Sequence, residues 1–102
     1  MIPLIQNHTD DIAEICRRHH VKRLEVFGSA AVGDFNPQTS DIDFLVDFDE
    51  AVAGRRFQTR LELTDALQTL FGRHVDLVVY KNVVNPYFRR SVDATKEPIY
   101  EA

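Results

Sequence analysis

The sequence predicts an α/β chain with the element order α-β-α-β-α-β-α, and three observations carry that reading. Two short apolar runs rich in β-formers, Leu24 to Phe27 and His74 to Tyr80, lie on either side of a third run, Asp41 to Phe48, that alternates. Stretches of helical period, with identifiable starts and stops, fall before, between and after them. At 102 residues and 44% hydrophobic, the chain can bury roughly two thirds of its unfolded surface in one core. No repeat, low-complexity tract or linker rich in Gly, Pro or Ser divides it, so residues 1–102 are read as one domain.

The first helix is expected over about Thr9 to His20. Thr9 is its candidate N-cap, Asp10 and Asp11 stand in the first turn, and Ile12, Ile15 and Cys16 form a buried stripe. The first strand, Leu24 to Phe27, is stopped by Gly28, and Ser29 stands where a short helix through Ala30 and Ala31 can start. After a polar loop comes the second strand, in which Ile42, Phe44, Val46 and Phe48 face one way and Asp41, Asp43, Leu45 and Asp47 the other. The longest helix is expected between about Gly54 and Phe71, with Phe57, Leu61, Leu67, Leu70 and Phe71 as its apolar face and Gly72 ending it. The third strand follows, His74 to Tyr80. Asn85 and Pro86 then read as the cap and first position of a helix carrying Tyr87, Phe88 and Val92, before Pro98 breaks into a tail.

The candidate site lies where the first two strands meet. Gly28 has no Cβ, so backbone can approach a ligand there, while Ser29 offers a hydroxyl and a helix start presents free N–H groups to phosphate. Asp41 and Asp43 stand on one face of a strand, about 6.5 Å apart at the backbone, where their carboxylates can converge on cations that bridge a triphosphate. A third carboxylate is expected from a neighbouring strand, because chemistry of this kind needs ligands on more than one side and a base near the attacking hydroxyl. Asp76, inside the apolar stretch Val75-Asp76-Leu77-Val78-Val79, supplies it. An isolated carboxylate among valines costs several kcal/mol to keep charged, which leaves pairing, a metal or an exposed strand end as its explanation. The pattern asks for magnesium and a nucleoside triphosphate.

Composition narrows the alternatives. A net charge of -4 argues against a nucleic acid gripped along its backbone, which needs a basic stripe. The single Cys16 excludes an internal disulfide. With no signal-peptide core and no apolar run of membrane-spanning length, the cytoplasm is the expected compartment. Cys16 and His19 are only two ligands and make no zinc site, and His74 is treated in the same way. Asp47, Asp49 and Glu50 read as a solvated strand exit; Arg17, Arg18, Lys22 and Arg23 read as a solvated face that can also meet an acidic partner.

Gly28-Ser29 with Gly33, Ser40-Asp41-Ile42-Asp43 and Val75-Asp76-Leu77-Val78 resemble the minimal nucleotidyltransferases of the DNA polymerase β superfamily. Within it, the chain resembles the MNT-domain antitoxins paired with HEPN toxins, over nearly its whole length. The glycine-serine plus Asp-x-Asp combination is specific; either part alone is weak. The resemblance implies a small mixed β-sheet flanked by helices, magnesium, ATP as donor, and transfer of AMP to a tyrosine hydroxyl of a helical RNase toxin. It departs from many relatives at Val32, where they carry an arginine just before the second glycine. Two readings follow: a transferase that modifies its toxin, and a non-catalytic module that occludes it, with Val32 as the mark of lost activity. A transferase acting on a small molecule such as an aminoglycoside is disfavoured, since 102 residues leave little for a substrate-binding domain.

Overall fold

The computed structural model of the chain describes residues 1–33, 36 and 40–102. Its helices are α1 (Pro3–Gln6), α2 (Thr9–Arg18), α3 (Ser29–Val32), α4 (Arg56–Phe71) and α5 (Pro86–Thr95). Its strands are β1 (Val21–Phe27), β2 (Ile42–Phe48), β3 (Val75–Val79) and β4 (Glu97–Glu101), with 3-10 turns at Glu50–Val52 and Tyr80–Asn82. The sheet runs β3-β2-β1-β4. β1 is antiparallel to both β2 and β4, while β2 and β3 are parallel. A parallel pair needs a long crossover, and α4 provides it. The expected mixed sheet flanked by helices is therefore what forms.

The alternation of β2 distributes the core between the two faces. Ile42, Phe44, Val46 and Phe48 enter the larger cluster, joined by Leu24 and Val26 of β1, Ile12 and Cys16 of α2, and Leu63 and Leu67 of α4. On the opposite face Leu45 packs with Phe27, Val83 and Val92 under α5. This second cluster is small, which leaves one end of that face for polar groups. Gly72 closes α4 with a left-handed φ of 65°. Asn85 caps α5 by accepting from the N–H groups of Tyr87 and Phe88, with Pro86 in the first turn, as expected from the dipeptide. None of the described helices is long and apolar enough to cross a membrane.

Several expectations need correction. The tail around Pro98 is a fourth strand: β4 pairs with β1 at the sheet edge, and Pro98 sits opposite Glu25 beside a register shift, the kind of edge position where a proline is tolerated. β1 starts at Val21 rather than Leu24; a register shift between Val21 and Arg23 interrupts the alternation and turns Lys22 and Arg23 outward together. α1 precedes the first expected helix, and α2 begins at Thr9 with His8 in the cap position, ending at Arg18. In α4 the buried stripe is Thr59, Leu63, Leu67 and Phe71, four residues apart, whereas Phe57 and Leu61 are exposed. The expected polar loop falls on residues 34–39, of which only Asn36 is among the described residues.

Candidate active site

β1 ends at Phe27 opposite Asp43 of β2. The next residue, Gly28, turns the chain into α3 with φ 72° and ψ -149°. A side chain is barred there on two grounds. That backbone conformation is open essentially to glycine alone, and a Cβ would stand 2.8 Å from Asp43 Oδ2. The glycine thus lets the turn lie directly against a carboxylate. Ser29 and Ala30 open α3, and their N–H groups have no acceptor within the helix, as in any first turn. The N–H of Gly28 itself is engaged, donating to Thr95 Oγ1 of α5 at 3.0 Å. Ala30 is fully buried, so the expectation that backbone N–H groups near Gly28 face a phosphate narrows to Ser29, which is half-buried.

Asp43 and Asp76 are register partners across the parallel β2/β3 pair. Neighbouring strands lie about 4.8 Å apart, so the two side chains leave the same face side by side. Asp43 is half-buried and Asp76 exposed. Asp41 stands one residue before β2, exposed, with Oδ2 3.2 Å from His74 Nδ1 at the entry to β3. The three predicted carboxylates thus share one end of the β2/β3 pair, with Gly28 and Ser29 beside Asp43. His74, set aside in the sequence, proves to be Asp41's partner; the β2/β3 register, in which Ile42 faces Val75, places the two opposite each other.

The electrostatics follow from this arrangement. The Asp43 carboxyl is pushed up from 3.8 to about 6, first by burial, then by the negative charges of Asp76 and Asp41, with His74 pulling the other way. Because the folded state holds this proton more tightly than the unfolded chain does, Asp43 favours folding most below about pH 4 and loses that contribution as pH rises through about 6. Without metal, the melting temperature of wild type is therefore expected to fall relative to Asp43→Asn across that window. A difference between the two that does not change from pH 4 to pH 7 contradicts the assignment.

Among the described residues no three His, Cys, Asp or Glu side chains are gathered into a preformed metal cage. Magnesium does not require one, since it binds through one or two carboxylates together with substrate phosphates and water. Carboxylates close enough to raise one another's proton affinity are hard oxygen donors that a divalent cation would favour, so the residues present fit that ion.

Several of the other titratable groups noted in the sequence have structural explanations. Cys16 is buried, which pushes its thiol up to about 12, and His19 Nδ1 donates to the Ile15 carbonyl at 2.7 Å. Arg17 pairs with Glu14 at 2.9 Å, Arg23 with Glu25 at 3.6 Å, and Asp49 caps the turn after β2 by accepting from Ala51 N–H. Val32 is 59% exposed on α3.

The nucleotidyltransferase domain model matches residues 10–97. A presumptive protein adenylyltransferase of Methanocaldococcus jannaschii is 37% identical over 91 residues, covering 81% of this chain and 89% of that protein. The solved structure of a presumptive minimal nucleotidyltransferase is 33% identical, with a TM-score of 0.74 over 91% of this chain and 90% of the other. A tri-AMPylated Shewanella oneidensis HEPN toxin in complex with its MNT antitoxin gives a TM-score of 0.62 at 21% identity, over 96% of this chain and 73% of that one. At that identity the likeness is one of fold.

Proposed function

This chain belongs to the nucleotidyltransferase domain family, and on that premise we propose that it is a magnesium-dependent protein adenylyltransferase, an antitoxin that transfers AMP from ATP to a tyrosine hydroxyl of a cognate HEPN RNase toxin. The observation that carries this reading is the pairing of Asp43 with Asp76 across β2 and β3, beside a glycine turn that closes on Asp43. The adenylyltransferase name of the Methanocaldococcus jannaschii relative supports the transferred group. The AMPylated toxin held by a chain of the same fold supports the partner.

In the proposed mechanism Ser29 Oγ and the N–H of Ser29 bind the β and γ phosphates. Asp41 and Asp43 would hold magnesium, which would supply charge neutralisation for the triphosphate and polarise the α-phosphorus. Asp76 would help hold a second metal ion on the acceptor side and accept the proton of the acceptor hydroxyl. The acceptor oxygen forms its bond to the α-phosphorus as the bond from that phosphorus to the bridging oxygen breaks in line, and pyrophosphate leaves. His74 keeps Asp41 turned toward β3.

Calorimetry with ATP tests the assignment of the metal residues. Wild type is expected to bind ATP weakly without magnesium and clearly more tightly with it, and Asp41→Asn combined with Asp43→Asn abolishes that gain. Magnesium-dependent binding that survives in the double variant removes both residues from the metal site.

A further inference from the structure

Thr95 is the last residue of α5, 67 residues along the chain from the glycine it contacts. Its Oγ1 accepts from Gly28 N–H at 3.0 Å, while its own proton is directed back along α5 to the Ser91 carbonyl at 3.2 Å. The hydroxyl is thereby oriented, with a lone pair held toward the glycine. Immediately after it the chain leaves the helix through Lys96 and enters β4, whose Glu97 pairs with Val26 of β1. The contact is therefore anchored on the strand that carries the turn. On its other side Gly28 has no slack, since the space where a Cβ would go ends 2.8 Å away at Asp43 Oδ2. The turn is confined between a carboxylate and a hydroxyl.

We propose that Thr95 is a positioning residue for nucleotidyl transfer: it holds the Gly28 turn at the separation from Asp43 at which a donor triphosphate can touch both. The proposal rests on the nucleotidyltransferase reading given above, and it extends the site to a helix that carries none of the predicted site residues. With the hydroxyl gone, the Gly28 N–H loses its acceptor and the turn is free to move toward a competing one. Ser29, the next residue, then loses its registry with the carboxylates.

Calorimetry of magnesium-ATP binding, alongside steady-state AMP transfer, tests this with three full-length variants. Thr95→Val, nearly isosteric but without an acceptor, is expected to weaken magnesium-ATP binding about tenfold and to lower kcat/KM by at least as much, the scale of one unpaired half-buried amide. Thr95→Ser should restore both. Val52→Ala, in the larger core at the far end of β2, should lower the melting temperature yet bind magnesium-ATP as wild type does. Wild-type binding by Thr95→Val, no rescue by Thr95→Ser, or equal weakening in Val52→Ala overturns the positioning role alone. A wild-type protein that binds no magnesium-ATP overturns the nucleotidyltransferase reading, and the role of Thr95 with it.

Discussion

Asp76→Asn is expected to cut AMP transfer by about 10²–10⁴-fold, the usual contribution of a positioned general base, while magnesium-ATP binding changes little. The separation of the two effects follows from geometry. Asp76 stands on β3, across the strand pair from Asp43, and the glycine turn closes on Asp43 instead. Asp76 is exposed at the sheet end, so the substitution leaves folding nearly unchanged. It also removes the negative charge that, of the two beside it, raises the Asp43 carboxyl more, and the pH dependence of stability between about 4 and 6 should shrink with it. Single-turnover transfer at saturating ATP, together with calorimetric binding, measures both. Loss of binding in proportion to loss of transfer shows Asp76 to be a ligand of the donor and not the base.

Gly28→Ala is the second large effect, and it acts on fold and site together. The observed φ of 72° with ψ of -149° lies in a region that costs a residue with a side chain on the order of 1–3 kcal/mol. In a chain of this size that corresponds to a fall in melting temperature on the order of 10 °C. The added methyl also meets Asp43 Oδ2 at 2.8 Å, so relief requires either the turn or the carboxylate to move. Both candidate ligand positions then separate, and magnesium-ATP binding should disappear even where the protein remains folded. Thermal melting and calorimetry on the variant check the two halves. Near wild-type values in both mean that neither the strain nor the contact is as described.

The elements legible in the sequence are those whose signal is local. β2 alternates cleanly because one face is buried and the other carries Asp43 and Asp47. The Gly72 stop and the Asn85-Pro86 start are short-range backbone chemistry. The candidate carboxylates were legible for the same reason: Asp41 and Asp43 share a face by period, and Asp76 is an acid inside an apolar run. What escaped depends on partners distant in the chain. β4 carries a proline and three half-exposed residues, Glu97, Ile99 and Tyr100, and it becomes a strand only because β1 offers an unpaired edge. Phe57 and Leu61 fit a helical apolar face, yet packing buries Thr59 and Leu63 instead, since the sheet meets α4 on the opposite side. The Asp41–His74 pair needs the β2/β3 register, and the Thr95 contact needs α5 laid across the sheet, neither of which a single run of residues encodes.

If this protein silences a toxin by adding AMP to it, as proposed, the intact mass of that toxin reports the addition. The proposed partner, a small helical RNase to be sought in the neighbouring reading frame, would be incubated with wild-type protein and magnesium, with and without ATP, then weighed and assayed on RNA. AMP additions on the toxin are expected only when ATP is present and lost when the acceptor tyrosine is replaced by phenylalanine, with RNase activity falling in step with the mass gain. Equal silencing without ATP and without any mass gain would contradict the proposal, and would make this chain an antitoxin that acts by occlusion.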